Sequence, residues 1–295
     1  MNHTHKPLVV LGSANMDLVT RVETFPQAGE TLPGSALEQH PGGKGANQAV
    51  AAARAGAKVS FIGNIGHGAF GDALVSGLAE GGIDLTHLRR SKELPAGTAL
   101  ILLNRAGENQ IVVTRSSNDM VNPAQVRQAG ALIQQAGLLL VQLEVPLAAV
   151  TAAIALAHKA KVPVMLNPAP ITQPLPKSLL KQVTWLTPNE HELAVLTGAT
   201  VQTKEQLEQG AQKLLSAGVP NIVVTCGARG ACWVSANGTR WFPARKVKVV
   251  DTVGAGDCFS GMLAAGLIGG LPPEAAIRKA VQAATLNVTK PGARS

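Results

Sequence analysis

Residues 138–166, LLLVQLEVPLAAVTAAIALAHKAKVPVML, hold one complete structural unit. Leu138 to Leu143 is an apolar run of strand length. Leu147 to Lys159 is Ala-rich with apolar residues at helical spacing, and Val162 to Leu166 is a second short apolar run. A strand, a crossover helix and a strand apolar on both faces signal parallel pairing under helical cover. The alternation continues in both directions. Short runs at Leu8 to Leu11, Val59 to Ile62, Thr184 to Leu186 and Ile222 to Thr225 are interleaved with helical segments near 45–56, 69–80, 122–135, 203–216 and 255–268. The expected fold is α/β: a three-layer α/β/α sandwich with a mostly parallel central sheet, which binds its ligands beyond the carboxyl ends of the strands.

Two segments break the alternation. Residues 18–39 and 97–115 read as strands without helices between them. The second forms a hairpin from Thr98–Leu103, through the turn Asn104-Arg-Ala-Gly107, to Gln110–Thr114. Neither is large enough for a core of its own, so a small β-sheet lid is expected over the ligand edge of a single domain spanning 1–295.

Composition narrows the partners. The chain has 295 residues and carries 26 Lys+Arg against 18 Asp+Glu, a net charge of +8. Its 46% hydrophobic content excludes a disordered chain. Only 15% of residues are charged and 3% aromatic, so basic stripes and stacking platforms for nucleic acid are both lacking. The longest basic stretch, Ala244-Arg-Lys-Val-Lys248, alternates like an exposed strand. Attraction of a small anion fits better. Cys226, Cys232 and Cys258 are odd in number and form no CxxC, which argues against a disulfide framework or a zinc site and for a reducing cytoplasm. Met1-Asn-His-Thr-His5 lacks the features of a signal peptide, and no run reaches the ~18 apolar residues of a membrane span. The Asn-x-Thr matches at Asn2, Asn237 and Asn287 therefore carry no glycosylation meaning.

Asp251-Thr-Val-Gly-Ala-Gly-Asp257, leading into the apolar segment Cys258 to Ile268, is the strongest local signal. Gly254 and Gly256 let successive N–H groups point into one concavity at a helix N-terminus, a natural anion site. Asp257 falls in the first turn beside that anion; the alternative is a carboxylate that only stabilises the helix start. His40-Pro-Gly-Gly-Lys-Gly-Ala-Asn47 is not a Walker A loop, because the required Gly and Ser/Thr positions hold Glu38 and Gly45. Gly12-Ser-Ala-Asn-Met-Asp17 has one glycine where a dinucleotide fingerprint needs three. What these segments share is polar groups at strand ends: Asn15, Asp17, Lys44, Asn47 and Glu144, which suit a polyhydroxylated ligand. In Thr187-Pro-Asn-Glu-His-Glu192, Asn189 and Glu192 share a helical face. They could support Mg²⁺ held largely through water and phosphate, but on spacing alone a capping box is the stronger reading. His191 lies off that face. Val224-Thr-Cys-Gly-Ala-Arg-Gly230 fits either a hairpin or backbone approaching a nucleotide, and Trp185, Trp233 and Trp241 read as core or hairpin residues.

Taken in order along essentially the whole chain, Gly12-Ser-Ala-Asn-Met-Asp17, Gly42-Gly-Lys-Gly-Ala-Asn47, Gln142-Leu-Glu144, Asn167-Pro-Ala-Pro170, Thr187-Pro-Asn-Glu-His-Glu192 and Asp251-Thr-Val-Gly-Ala-Gly-Asp257 resemble the ribokinase (PfkB) family of sugar kinases. The resemblance implies transfer of the ATP γ-phosphoryl group to the 5-hydroxyl of D-ribose, giving ribose 5-phosphate. In that reading Asp257 is the base, and the N–H groups of Gly254, Ala255 and Gly256 form the anion hole. Asn15, Asp17, Gly43, Lys44, Asn47 and Glu144 would hold the sugar. Asn189, Thr225, Gly227, Gly230 and Gly256 would line the ATP site, with Glu192 near Mg²⁺. An activating K⁺ would sit near Asp251, Val253, Asn287, Lys290 and Gly292, and the lid would pair two subunits into a homodimer.

The chain departs from the family pattern at Ser116-Ser-Asn118, where Gly-Ala-Asn is common, at His67-Gly68 and at Val281. Family members also continue beyond the position of Ser295 into a further K⁺ contact and a last helix. The alternatives are a kinase for 2-deoxyribose or another pentose and, from a different class, a sugar sensor on the same fold without catalysis. A nucleotide-regulated DNA binder has no basic patch to support it.

Overall fold

The computed structural model describes residues 6–294, so the readings of Met1–His5, Asn2 and Ser295 lie outside the described residues. In chain order the strands are β1 Leu8–Leu11, β2 Asn15–Arg21, β3 Glu38–Gly42, β4 Val59–His67, β5 Leu88–Pro95, β6 Gly97–Leu103, β7 Asn109–Thr114, β8 Leu138–Val141, β9 Val164–Leu166, β10 Trp185–Leu186, β11 Asn221–Thr225, β12 Ala231–Ser235 and β13 Gly238–Phe242. The helices are α1 Lys44–Arg54, α2 Ala69–Glu80, α3 Pro123–Gln128, α4 Gly130–Gln135, α5 Leu147–Lys159, α6 Lys177–Leu180, α7 Glu190–Thr197, α8 Lys204–Ser216, α9 Ala255–Ile268 and α10 Pro273–Asn287.

The main sheet runs β13-β12-β11-β10-β9-β8-β1-β4-β5 and is parallel except for the β11-β12-β13 meander at one edge. Side-chain alternation in its central strands feeds two separate cores. Val9 and Leu11 of β1 and Leu139 and Val141 of β8 pack on one face with residues of α3 to α8. Leu8, Val10, Leu138 and Leu140 pack on the other with residues of α1, α2, α9 and α10. All eight side chains are buried, each contributing about 1.5–3 kcal/mol of apolar transfer. This is the expected α/β/α layering. A smaller sheet, β3-β2-β6-β7, stands apart, with β2 and β6 parallel and the other pairs antiparallel.

Several elements differ from the sequence reading. β4 continues to His67 and is backed by the edge strand β5, with a register shift between Ile65 and His67. β8 stops at Val141, leaving Gln142 and Glu144 beyond the strand end. The segment 122–135 is two short helices meeting at Ala129-Gly130. Residues 22–37 form no strand; Pro26 and Pro33 cannot donate to a ladder. Ala244–Lys248 is not a strand either but an irregular segment following β13. The hairpin β6–β7 turns at Asn104–Gly107, where the Gly107 N–H donates to the Asn104 carbonyl at 3.0 Å. Trp185 and Trp233 stack with ring centroids 6.2 Å apart.

Lys161, just past α5, has φ 59°, a left-handed conformation that strains any side chain with a Cβ. Lys161→Gly is expected to raise stability by about 0.5–1 kcal/mol. A chemical-denaturation midpoint that falls instead would show that the strain is absorbed elsewhere.

Candidate active site

The carboxyl ends of the parallel strands converge on Asp257. Gly12 and Ser13 follow β1, Gln142 and Glu144 follow β8, Asn167 follows β9, Thr187 and Asn189 follow β10, and Thr225 ends β11. Asp257 enters from above them in the first turn of α9, whose N-cap Gly254 has φ 77°. The Ala255 N–H makes a long 3.4 Å bond to the Thr252 carbonyl, and the Gly256 and Asp257 N–H groups precede the first intrahelical bond, from Cys258 to Gly254, a position suited to an anion. Packing fixes where α9 sits. A Cβ at Gly261 would lie 2.4 Å from the backbone oxygen of Gln48, so only glycine lets α9 press on α1 this closely. The buried alanines Ala46, Ala49 and Ala52 of α1 make room from the other side.

That approach brings two neighbouring α1 side chains onto one carboxylate, and Arg294 backs one of them. Asn47 donates from Nδ2 to Asp257 Oδ2 at 3.1 Å, and Gln48 from Nε2 to Asp257 Oδ1 at 2.9 Å. Arg294 donates from Nε to Asn47 Oδ1 at 2.8 Å and from a terminal nitrogen to the Gly42 carbonyl at 2.9 Å. Burial pulls its pKa down to about 10 against the opposing pull of Asp17 and Asp257. Neither Gln48 nor Arg294 stood out in the sequence. A polar residue among the alanines of a buried helix face is the signal that marks Gln48.

The other strand-end groups gather nearby. Glu144 Oε2 accepts from Ser13 Oγ at 2.5 Å and from the Lys44 backbone N–H at 2.9 Å. Asn15 is buried, and its Oδ1 accepts from Asn118 Nδ2 at 2.8 Å. Asn118 also ties to both backbone groups of Ala14, so the Ser116-Ser-Asn118 segment supports this wall. Gly43, at φ 86°, lies where a Cβ would be 2.7 Å from Asn15 N. Burial pulls the Lys44 pKa down, but Asp257, Glu144, Glu192 and Asp17 together outweigh it and hold the ammonium charged.

Burial, reinforced by Glu144 and Asp257 and opposed by Arg294 and His40, pushes Asp17 up to about 7. With its folded pKa above the ordinary 3.8, Asp17 favours folding at low pH. That contribution fades as pH rises from about 4 through about 7. The melting-temperature advantage of Asp17→Asn over the parent chain is therefore expected to grow between pH 5 and pH 8. A difference that stays flat across that range would contradict the assignment.

Two cavities meet at the α9 terminus. The smaller, about 210 Å³, is polar and lined by Lys44, Asn189, Glu192, Gly254, Gly256 and Asp257 among others. The larger, about 810 Å³, is mostly apolar. Asn189, Thr225, Gly227, Gly230 and Gly256 all line it, as do Val281 and the irregular segment carrying Arg245 and Lys246. The 224–230 segment is both a hairpin turn and a cavity wall.

Asn189 and Glu192 form the capping box. Asn189 Oδ1 accepts from the Glu192 N–H at 2.8 Å, and Glu192 Oε2 accepts from the Asn189 N–H at 2.9 Å. Glu192 nevertheless faces the smaller cavity, and burial raises its pKa against the pull of the Asn189 N–H and Lys44. His191 is exposed at the rim of the larger cavity.

The 251–253 and 287–292 segments also come together. Asp251 accepts from the N–H groups of Val253 and Gly292, both at 2.9 Å, while the Val250 N–H donates to the Val288 carbonyl. Burial pushes the Cys226 and Cys232 thiols up to about 12 and Cys258 to about 11, so none is a ready nucleophile. No helix among the described residues is long and apolar enough to cross a membrane.

Comparison with known proteins identifies the family. The family model for pfkB family carbohydrate kinases matches residues 5–295. A ribokinase of Haemophilus influenzae is 41% identical over 98% of this chain and 94% of its own length. A deoxyribokinase of Salmonella typhi is 36% identical, with coverage of 98% and 94%. The structure of Arabidopsis thaliana ribokinase complexed with ribose and ATP superposes with a TM-score of 0.93 at 32% identity, covering 99% of this chain and 95% of that one. The site thus lies in a chain that belongs to the pfkB family of carbohydrate kinases.

Proposed function

We propose that this chain phosphorylates D-ribose at its 5-hydroxyl with ATP, giving ribose 5-phosphate and ADP. The observation that carries the reading is the position of Asp257: a buried carboxylate at a glycine-led helix N-terminus, where a nucleotide-sized cavity meets a polar one. The adenosine occupies the larger cavity against Phe259, Val281 and Ala284, and the phosphates turn toward Gly254, Ala255 and Gly256. The sugar lies among Asn15, Asp17, Gly43, Lys44, Asn47 and Glu144, with its 5-hydroxyl against Asp257. Asp257 takes the hydroxyl proton as the sugar oxygen bonds to the γ-phosphorus and the bond to the β–γ bridging oxygen breaks. Phosphoryl transfer of this kind depends mainly on positioning and charge neutralisation, which Lys44 and the α9 amides provide.

The described residues contain no cluster of three His, Cys, Asp or Glu able to cage a metal. Mg²⁺, which neutralises phosphate oxygens, would therefore be held by Glu192 largely through water and nucleotide, in keeping with its coordination habits. K⁺ suits the junction of the 251–253 and 287–292 segments, at Asp251, Val253, Asn287, Lys290 and Gly292, and turnover in KCl is expected to exceed that in NaCl at equal ionic strength.

The small sheet acts as the lid of a single domain. Its exposed apolar residues Leu100, Ile111, Val112 and Val113 offer a surface for a homodimer. The protonated thiols, those of Cys226 and Cys232 buried, accord with a reducing cytoplasm. The deoxyribokinase likeness favours 2-deoxyribose as the second reading. ADP release measured across ribose, 2-deoxyribose, fructose and nucleosides decides between them. Failure to turn over any pentose rejects both.

A further inference from the structure

We propose that Gln48 and Gln142 are positioning residues that orient Asp257 through a buried chain of amides. The proposal deepens the reading of Asp257 as the base and rests on it. Gln48 is fully buried on α1, and both donors of its amide are committed: one to Asp257 Oδ1 at 2.9 Å, one to Asn167 Oδ1 at 3.0 Å. Its Oε1 accepts from Gln142 Nε2 at 2.6 Å. Asn167 in turn donates from Nδ2 to the Thr187 carbonyl at 2.8 Å. The carboxylate of Asp257 is thereby tied to the ends of β8, β9 and β10, three strands of the main sheet.

The direction of the chain is dictated from Asp257 outward. An ionised carboxylate only accepts, so Gln48 must present its NH₂ to Asp257 and its oxygen to Gln142. Gln142 must then present its own NH₂ to Gln48. The cost of that arrangement is visible: Gln142 Oε1 is buried and has no hydrogen-bond partner among the described residues. Turning the Gln142 amide over would set oxygen against oxygen at Gln48. An unpaired buried acceptor is unfavourable, and its retention here marks the Gln142 NH₂ as the group the arrangement serves. Gly12 closes the far side, since a Cβ there would lie 2.2 Å from Gln142 Oε1. Glu144 stands two residues beyond Gln142, so one strand end aims both the base and a sugar-contacting carboxylate.

The test compares Gln48→Met, Gln142→Met and the double variant by ADP release with ribose across pH, with Asp257→Ala alongside. Gln48→Met is expected to lower kcat about tenfold or more, the scale of one hydrogen bond to a charged group. KM for ribose should stay within about threefold. The acid limb of its kcat profile should move to higher pH, because a carboxylate that loses an N–H donor holds its proton more firmly. Gln142→Met should change the same quantities in the same direction, and the double variant should be no worse than Gln48→Met, since Gln142 acts through Gln48. Wild-type kcat and acid limb in Gln48→Met, or multiplicative losses in the double variant, overturn the proposal. If Gln48→Met does not fold, Gln142→Met decides alone, and an unchanged kcat and acid limb there overturn it. Should Asp257→Ala retain turnover, the base reading fails. Should it be inactive while the glutamine variants are normal, only the relay fails.

Discussion

Asp257→Ala is expected to lower kcat by about 10³-fold or more while ribose affinity falls by no more than about tenfold. General-base assistance of this kind contributes typically 10²–10⁴-fold. In the proposed reading the same side chain also sets the attack direction of the sugar hydroxyl, which adds to the loss. Affinity survives because Asn15, Asp17, Lys44, Asn47 and Glu144 remain on the walls. The substitution has a structural side as well: Asn47 Nδ2 and Gln48 Nε2 each lose an acceptor in a buried setting, which costs about 1–3 kcal/mol per unpaired group. Removal of a buried charge offsets part of that. Single-turnover ADP formation together with calorimetric ribose titration separates the two effects. Turnover within tenfold of the parent would remove Asp257 from the base role, and a protein that binds ribose but never had ATP-dependent turnover would point to the sensor alternative.

Gly254→Ala carries the second large effect and acts through the backbone. Gly254 sits at φ 77°, where a side chain costs about 1–2 kcal/mol. A Cβ there would also lie 2.5 Å from Ala293 Cα and 2.6 Å from the Ala293 oxygen, so the 251–256 turn or the 290–294 segment must move. Either movement turns the first N–H groups of α9 away from the transferring phosphoryl. Loss of one aligned oxyanion donor costs about 10²–10³ in kcat, and a fall of at least 10²-fold is expected, with a lower melting temperature. Gly256→Ala separates space from backbone strain. Among the described residues, no atom beyond its chain neighbours and its own helix backbone lies within 4 Å of the Cβ it would add, so this variant should fold normally and show its effect on nucleotide KM. A Gly254→Ala enzyme with kcat near the parent value would show that phosphate is held elsewhere.

Much of the fold was legible because it rests on local periodicity. The helices at 69–80, 147–159 and 255–268 fall where Ala-rich apolar spacing put them, since a helix buries one stripe and its period is written in the chain. The hairpin around Asn104–Gly107 was legible for the same local reason. Boundaries failed where tertiary contacts decide them. β4 runs on past Ile62 because β5 supplies a partner, and residues 22–37 form no ladder despite reading as strand. Among site residues, the glycine loop and its aspartate stood out by composition. Glu192 could be read two ways from spacing, and its geometry holds both: it caps α7 and faces the smaller cavity.

By itself the sequence determined the layered α/β architecture, the glycine-led turn at 254–256 and the family, because each depends on residue type at short spacing. Only the tertiary structure decided what the aspartate at 257 touches. Asn47, Gln48 and Arg294 lie between 37 and 210 residues away along the chain. Asn47 and Gln48 meet Asp257 because Gly261 and three buried alanines let α9 and α1 approach within backbone contact, and Arg294 reaches the site through Asn47. Close packing between distant segments has no period, so it is decided by complementary shape in the folded state.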